Sequence, residues 1–108
     1  MEHITIVPDT NVMISCLTLV DALVKFIYSD NNIPMSILLP GIVMAELDGL
    51  RKDSSRSCQE SAQQANRWAA SELMKKGAVR GQRDSATLVD GSSWRNYYYK
   101  TGKVSGLC

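Results

Sequence analysis

The chain is poor in aromatic residues, at 6% of its composition, and four of the seven fall between Trp94 and Tyr99 near its end. Whatever core the first ninety or so positions build must therefore be aliphatic. Histidine is scarcer still. His3 is the single one, which excludes a multi-histidine zinc cluster and a Ser-His-Asp arrangement assembled around a second histidine. The three cysteines, Cys16, Cys58 and Cys108, are widely spaced and form no CxxC pair. That pattern argues against both a disulfide framework and a zinc knuckle, and the three read as free thiols in a reducing compartment. No apolar run approaches the roughly 18 residues of a membrane span, and no basic start leads into an apolar core and a small-residue cleavage site. The expectation is a soluble intracellular protein.

What is present fits one domain. The 108 residues are 44% hydrophobic and 21% charged, an ordinary globular balance. The net charge of +1 conceals an asymmetry. Residues 1–50 carry Lys25 against six acids (Glu2, Asp9, Asp21, Asp30, Glu46 and Asp48), leaving −5, while residues 51–108 carry eleven bases against five acids, leaving +6. An acidic half could hold cations and a basic half phosphates; plain solvation of the surface would give the same count.

Periodicity sets the element order. Ile4 to Val7 is a short β-branched run closed by Pro8-Asp9-Thr10-Asn11, the pattern of a buried strand ending in a polar turn. Val12 to Tyr28 is rich in aliphatic residues at helical spacing, with Thr18 as N-cap for the stretch from Leu19. Met35 to Leu39, bounded by Pro34 and Pro40, reads as a second buried strand, so the first forty residues form a strand-helix-strand unit with parallel strands. Gly41 to Leu50 reads as a helix, 51–57 as a polar Ser/Arg/Lys segment, and Cys58 to Lys76 as a long helix with Ala62, Ala65, Ala69 and Leu73 on one stripe and Gly77 as its terminator. After Gly77 the glycines interrupt the pattern and no further strand is expected.

Two acids stand out. Asp9 lies just past the carboxyl end of the first strand, where open α/β sheets bind ligands; the alternative is an Asx-type cap on the turn that follows. On a helical wheel Glu46 falls among Ile42, Leu50, Val43 and Leu47 within an arc of about 140°. A carboxylate turned toward a core costs several kcal/mol unless it is paired, protonated or bound to a cation. Lys25, the only base of the first half, is poorly placed to serve it. A divalent cation shared with Asp9 is the simplest alternative, and hard oxygen donors suit Mg²⁺ or Mn²⁺. Asp48 falls on the opposite side of the wheel and reads as solvent-facing, as does His3 ahead of the first strand.

Val7-Pro8-Asp9-Thr10-Asn11 and the stretch from Leu39 to Leu50, with its Glu46-Leu47-Asp48-Gly49-Leu50, together resemble the PIN domain family. The nearer resemblance is to its eukaryotic nuclear branch, which takes part in messenger-RNA quality control. It spans roughly residues 4–82, including the helix through Trp68. It implies an α/β fold with a parallel sheet flanked by helices, incomplete at the C-terminal end, with 1–82 as the domain and 83–108 as an atypical tail that replaces or completes it. It further implies an endoribonuclease acting on single-stranded RNA with Mg²⁺ or Mn²⁺, located in the nucleus rather than the cytoplasm. Asp9 and Glu46 would then be catalytic metal ligands, and Asn11 and Ser15 an orienting shell. Arg51, Lys52, Arg56 and Arg67 would guide the RNA backbone; each is equally readable as solvated surface.

The family's further acids come from a third segment that is not recognisable in this chain. Asp84 and Asp90 are the only acids after Glu72; Asp84, at a readable helix start, is the weaker third metal candidate. Three alternatives follow: a metal-dependent nuclease, a catalytically inactive PIN-like module that binds RNA or protein, and an incomplete fragment that folds only with its missing half; a protein partner or a homo-oligomer is a separate expectation.

Overall fold

The computed structural model describes residues 2–82. Its elements are β1 (Ile4–Ile6), α1 (Thr10–Ser15), α2 (Leu17–Tyr28), β2 (Met35–Leu39), α3 (Gly41–Lys52), α4 (Gln59–Met74) and β3 (Val79–Gly81). The three strands form one parallel sheet in the order β1-β2-β3, with Ile6 opposite Ile37 and Ile37 opposite Val79. This is the expected α/β architecture, a parallel sheet flanked by helices. Both connections are helical, as parallel neighbours require.

Alternation along β2 decides which face is covered. Ile37 and Leu39 are fully buried while Ser36 and Leu38 are only half-buried. Because paired residues of a parallel sheet share a face, Ile6, Ile37, Leu39 and Val79 look into the helical layer. There they join Met13 of α1, Val20, Val24 and Ile27 of α2, Val43, Leu47 and Leu50 of α3, and the alanines of α4. Ala62, Ala65 and Ala69 are completely buried; their small side chains let α4 lie close against α3, which it contacts along its length.

Six expectations need correction. The helical stretch before β2 is two helices, broken at Cys16 (φ −130°, ψ 32°). Thr18 is inside α2 and caps nothing, because that helix already starts at Leu17, with Cys16 in the N-cap position and no side-chain cap bond. On α4 the fourth buried position is Glu72, with Leu73 only partly buried. The turn after α4 takes its left-handed residue at Lys76 (φ 53°), not at Gly77. Gly77 is required for room: a Cβ there would overlap the hydroxyl of Tyr28. A third strand exists where none was expected, β3, whose Val79 is 1% exposed. Three residues ending in glycine carry no alternation to read, and their pairing with β2 is a tertiary effect. Finally, the free-thiol reading holds for Cys16 and fails for Cys58, which is disulfide-bonded; sequence spacing does not encode connectivity. Cys108 lies outside the described residues, as do Asp84, Asp90 and the aromatic group from Trp94 to Tyr99. Among the described residues no helix is long and apolar enough to cross a membrane.

Candidate active site at the carboxyl ends of the strands

Asp9 follows β1 in extended conformation (φ −87°, ψ 175°) and is the N-cap of α1: its Oδ1 accepts the Val12 N–H at 2.8 Å. The capping role anticipated as the alternative for Asp9 is thus realised, and it fixes the carboxylate at the strand end. One oxygen is engaged by the backbone, and the residue remains exposed, so capping and ligation do not compete for the whole group.

Glu46 arrives from the neighbouring strand. β2 ends at Leu39, Pro40 starts α3 without a side-chain cap, and Glu46 stands in the second turn of that helix. The buried stripe of α3 is Val43, Leu47 and Leu50, with Ile42 and Glu46 half-buried at its border. Glu46 is therefore on the edge of the stripe rather than within it. Its carboxyl is raised above the ordinary value of 4.5, first by loss of water on burial and then by the negative charge of Asp9, against a lowering hydrogen bond from the Thr10 hydroxyl. The two acids thus sense one another across the ends of β1 and β2. Among the described residues no base pairs with Glu46; Lys25 is held by Asp21 at 2.9 Å.

Two residues of this corner carried no sequence signal of their own. Thr10, buried at 4% exposure, brings its hydroxyl to Glu46, and only its place in the Asp-Thr-Asn turn could have flagged it. Gln82, just past β3, accepts the Gly41 N–H on its Oε1 at 2.8 Å and donates its own N–H to the Leu39 carbonyl. It ties the end of β3 to the start of α3. The three strand ends are thereby held at one edge of the sheet, and the chain leaves β3 toward Asp84 from that edge.

The remaining expected site residues are more dispersed. Asn11 and Ser15 are exposed positions of α1. Arg51 and Lys52 both engage Asp48, at 2.6 and 3.0 Å, and Arg56 engages Asp53 at 3.5 Å. Arg67 is exposed on α4. Asp48, 44% exposed, faces solvent as expected. An apolar groove of about 370 Å³ opens beside Asp9, lined by Val7, Val12, Leu19 and Leu23 among others.

The donors at this corner are carboxylate and hydroxyl oxygens, hard ligands of the kind magnesium and manganese take. A partly desolvated carboxylate with a second acid nearby and, among the described residues, no base beside it is an arrangement that a divalent cation relieves. Among the described residues no group of three or more acids, histidines or cysteines gathers at one point.

A family model described as PIN domain matches residues 6–98, a span that begins at the last residue of β1, includes β2 and β3 and runs past the last described residue. No curated protein matches the chain significantly.

Proposed function

Because the chain belongs to the PIN domain family, whose members are generally nucleases, we propose that it is a divalent-metal-dependent endoribonuclease cutting single-stranded RNA at the Asp9–Glu46 corner. The observation that carries this reading is Glu46 on α3, partly desolvated, near the Asp9 carboxylate at the end of β1 and, among the described residues, lacking a basic partner. Asp9 and Glu46 would hold Mg²⁺ or Mn²⁺, which supplies Lewis-acid polarisation of the scissile phosphate and activation of water. Thr10 keeps the Glu46 carboxylate oriented, Asp9 is held by its bond to the Val12 N–H, and Asn11 and Ser15 lie on the same short helix as an orienting shell. Arg51 and Lys52 at the end of α3, Arg56 in the segment that follows and Arg67 on α4 would guide the RNA backbone.

In this reading 1–82 carry the two-acid half of the site and 83–108 complete the domain, with Asp84 the nearest further acid in the chain. The resemblance to the nuclear messenger-RNA quality-control branch supports a nuclear location as part of this proposal. The absence of a third acid among the described residues favours one second reading, an inactive PIN-like module that binds RNA or a protein partner. Cleavage of a labelled single-stranded RNA by the purified chain decides between them. The nuclease reading expects cutting with Mn²⁺ that is lost with EDTA and with Glu46→Gln. A folded wild-type chain that binds RNA, ignores EDTA and cuts nothing establishes the binding module instead.

A further inference from the structure

The face of the sheet turned away from the helices carries polar side chains among apolar ones. Thr5 pairs with Ser36 and Leu38 with Arg80 in the strand registers, so these four share one face. They line, with His3 and Ala78, a cavity of about 460 Å³. His3 Nε2 and Ser36 Oγ are 2.8 Å apart, which sets an imidazole and a hydroxyl side by side. Arg80 is exposed, and among the described residues it enters none of the salt bridges, all of which lie on the helices and the segment joining α3 to α4. Among the described residues no aspartate or glutamate lines the cavity. A guanidinium is charged at every working pH and offers several N–H donors in a planar fork. Two hydroxyls and an imidazole beside it complete a set of donors with no competing carboxylate.

We propose that this sheet face is a phosphate-binding surface for the backbone of single-stranded RNA, with Arg80 as its charged anchor and Thr5, Ser36 and His3 as neutral donors. The charge pattern selects the occupant. Among the described residues that line it, Arg80 is the one permanent charge, set beside hydroxyls and apolar side chains, and none is Phe, Tyr or Trp, so it recognises phosphates without reading sequence. Thr5 is four residues before Asp9 on the same strand line, about 13 Å at strand rise. An RNA strand crossing the face could thus reach the candidate acids a few nucleotides further on. The proposal rests on the RNA reading given above.

The test is fluorescence anisotropy of a labelled RNA 20-mer of mixed sequence with the full chain in EDTA, over a salt series. Wild type is compared with Arg80→Gln, Arg80→Lys and Thr5→Glu, each first shown to melt cooperatively. Loss of one phosphate contact lowers the slope of log affinity against log salt by about 0.7, which is about fivefold at 0.1 M salt. Arg80→Gln and Thr5→Glu are expected to show that loss and Arg80→Lys to retain most of the slope. A wild type that binds RNA while Arg80→Gln and Thr5→Glu bind it with unchanged slope overturns the sheet-face proposal alone. A folded wild type that binds no RNA overturns both it and the reading beneath it. Should Arg80→Gln fail to fold, Thr5→Glu at its exposed edge position decides the matter.

Discussion

Glu46 on α3 holds its proton more tightly than usual, first because burial strips water from it and then because Asp9 at the end of β1 adds a negative charge, although one Asp9 oxygen is already committed to the Val12 N–H. The corner is therefore strained electrostatically in the protein alone, and the strain has a measurable sign.

Glu46 is raised above its ordinary 4.5, so the folded protein binds this proton more tightly than the unfolded chain does. Its effect on stability is nil below the unfolded value and becomes unfavourable as pH rises through the raised folded value. Glu46→Gln removes the ionisation. Thermal melts without metal should show Glu46→Gln higher than wild type at pH 7, by a few degrees or about 1 kcal/mol at most, with the difference shrinking as pH falls toward 4. A variant that is less stable at pH 7 and equal at pH 4 would show that Glu46 has a favourable partner.

Asp9 performs two tasks that substitution separates. Asparagine caps helices as well as aspartate does, whereas alanine loses the cap at about 1 kcal/mol. Asp9→Asn should melt within a degree or two of wild type, yet lose RNA cleavage and the Tm increase that Mn²⁺ gives a chain able to bind it. Asp9→Ala should lose these and also melt several degrees lower. Retained Mn²⁺-dependent cleavage in Asp9→Asn removes Asp9 from the site.

These two acids were legible because each stands at a break in a pattern, Asp9 where a β-branched run stops and Glu46 on the border of an apolar stripe. Met35 to Leu39 was legible to the residue because prolines bracket it. What the sequence hid depends on contacts between distant segments. Val79 is a strand residue only because Ile37 lies beside it. The hydroxyl of Thr10 matters only because α3 brings Glu46 to it. Leu73 fits the α4 stripe better by hydropathy, but helix geometry and the Lys75 partner put Glu72 inside.

Gly77 is the tightest glycine of the described residues. Tyr28 Oη accepts the Ala78 N–H at 2.9 Å, pinning the end of α2 to the start of β3, and a Cβ at Gly77 would occupy the space of that hydroxyl. Gly77→Ala should destabilise by about 1–3 kcal/mol, as overpacking does. Tyr28→Phe alone should cost about 1 kcal/mol through the unpaired amide. In the double variant the clash is relieved, so its loss should be smaller than the sum of the two. Strict additivity in urea melts would mean that Tyr28 and Gly77 do not meet.

Glu72 presents the opposite situation, a polar group the core accepts at a cost. It is 5% exposed, its Oε2 meets Lys75 Nζ at 2.6 Å, and its Oε1 is buried with no hydrogen-bond partner. Lys75 itself is raised by that hydrogen bond while its side chain stays 55% exposed, so solvent screens the pair and limits what it returns. An oxygen left unsatisfied in the interior costs about 1–3 kcal/mol, and an apolar side chain of similar volume escapes that cost without opening a cavity. Glu72→Met should therefore be neutral or more stable than wild type in thermal melts. Glu72→Ala should be less stable than Glu72→Met because it leaves a hole beside Ala69. A large loss in Glu72→Met, with Lys75→Met matching it, would instead establish the ion pair as a net stabiliser of the α4 terminus.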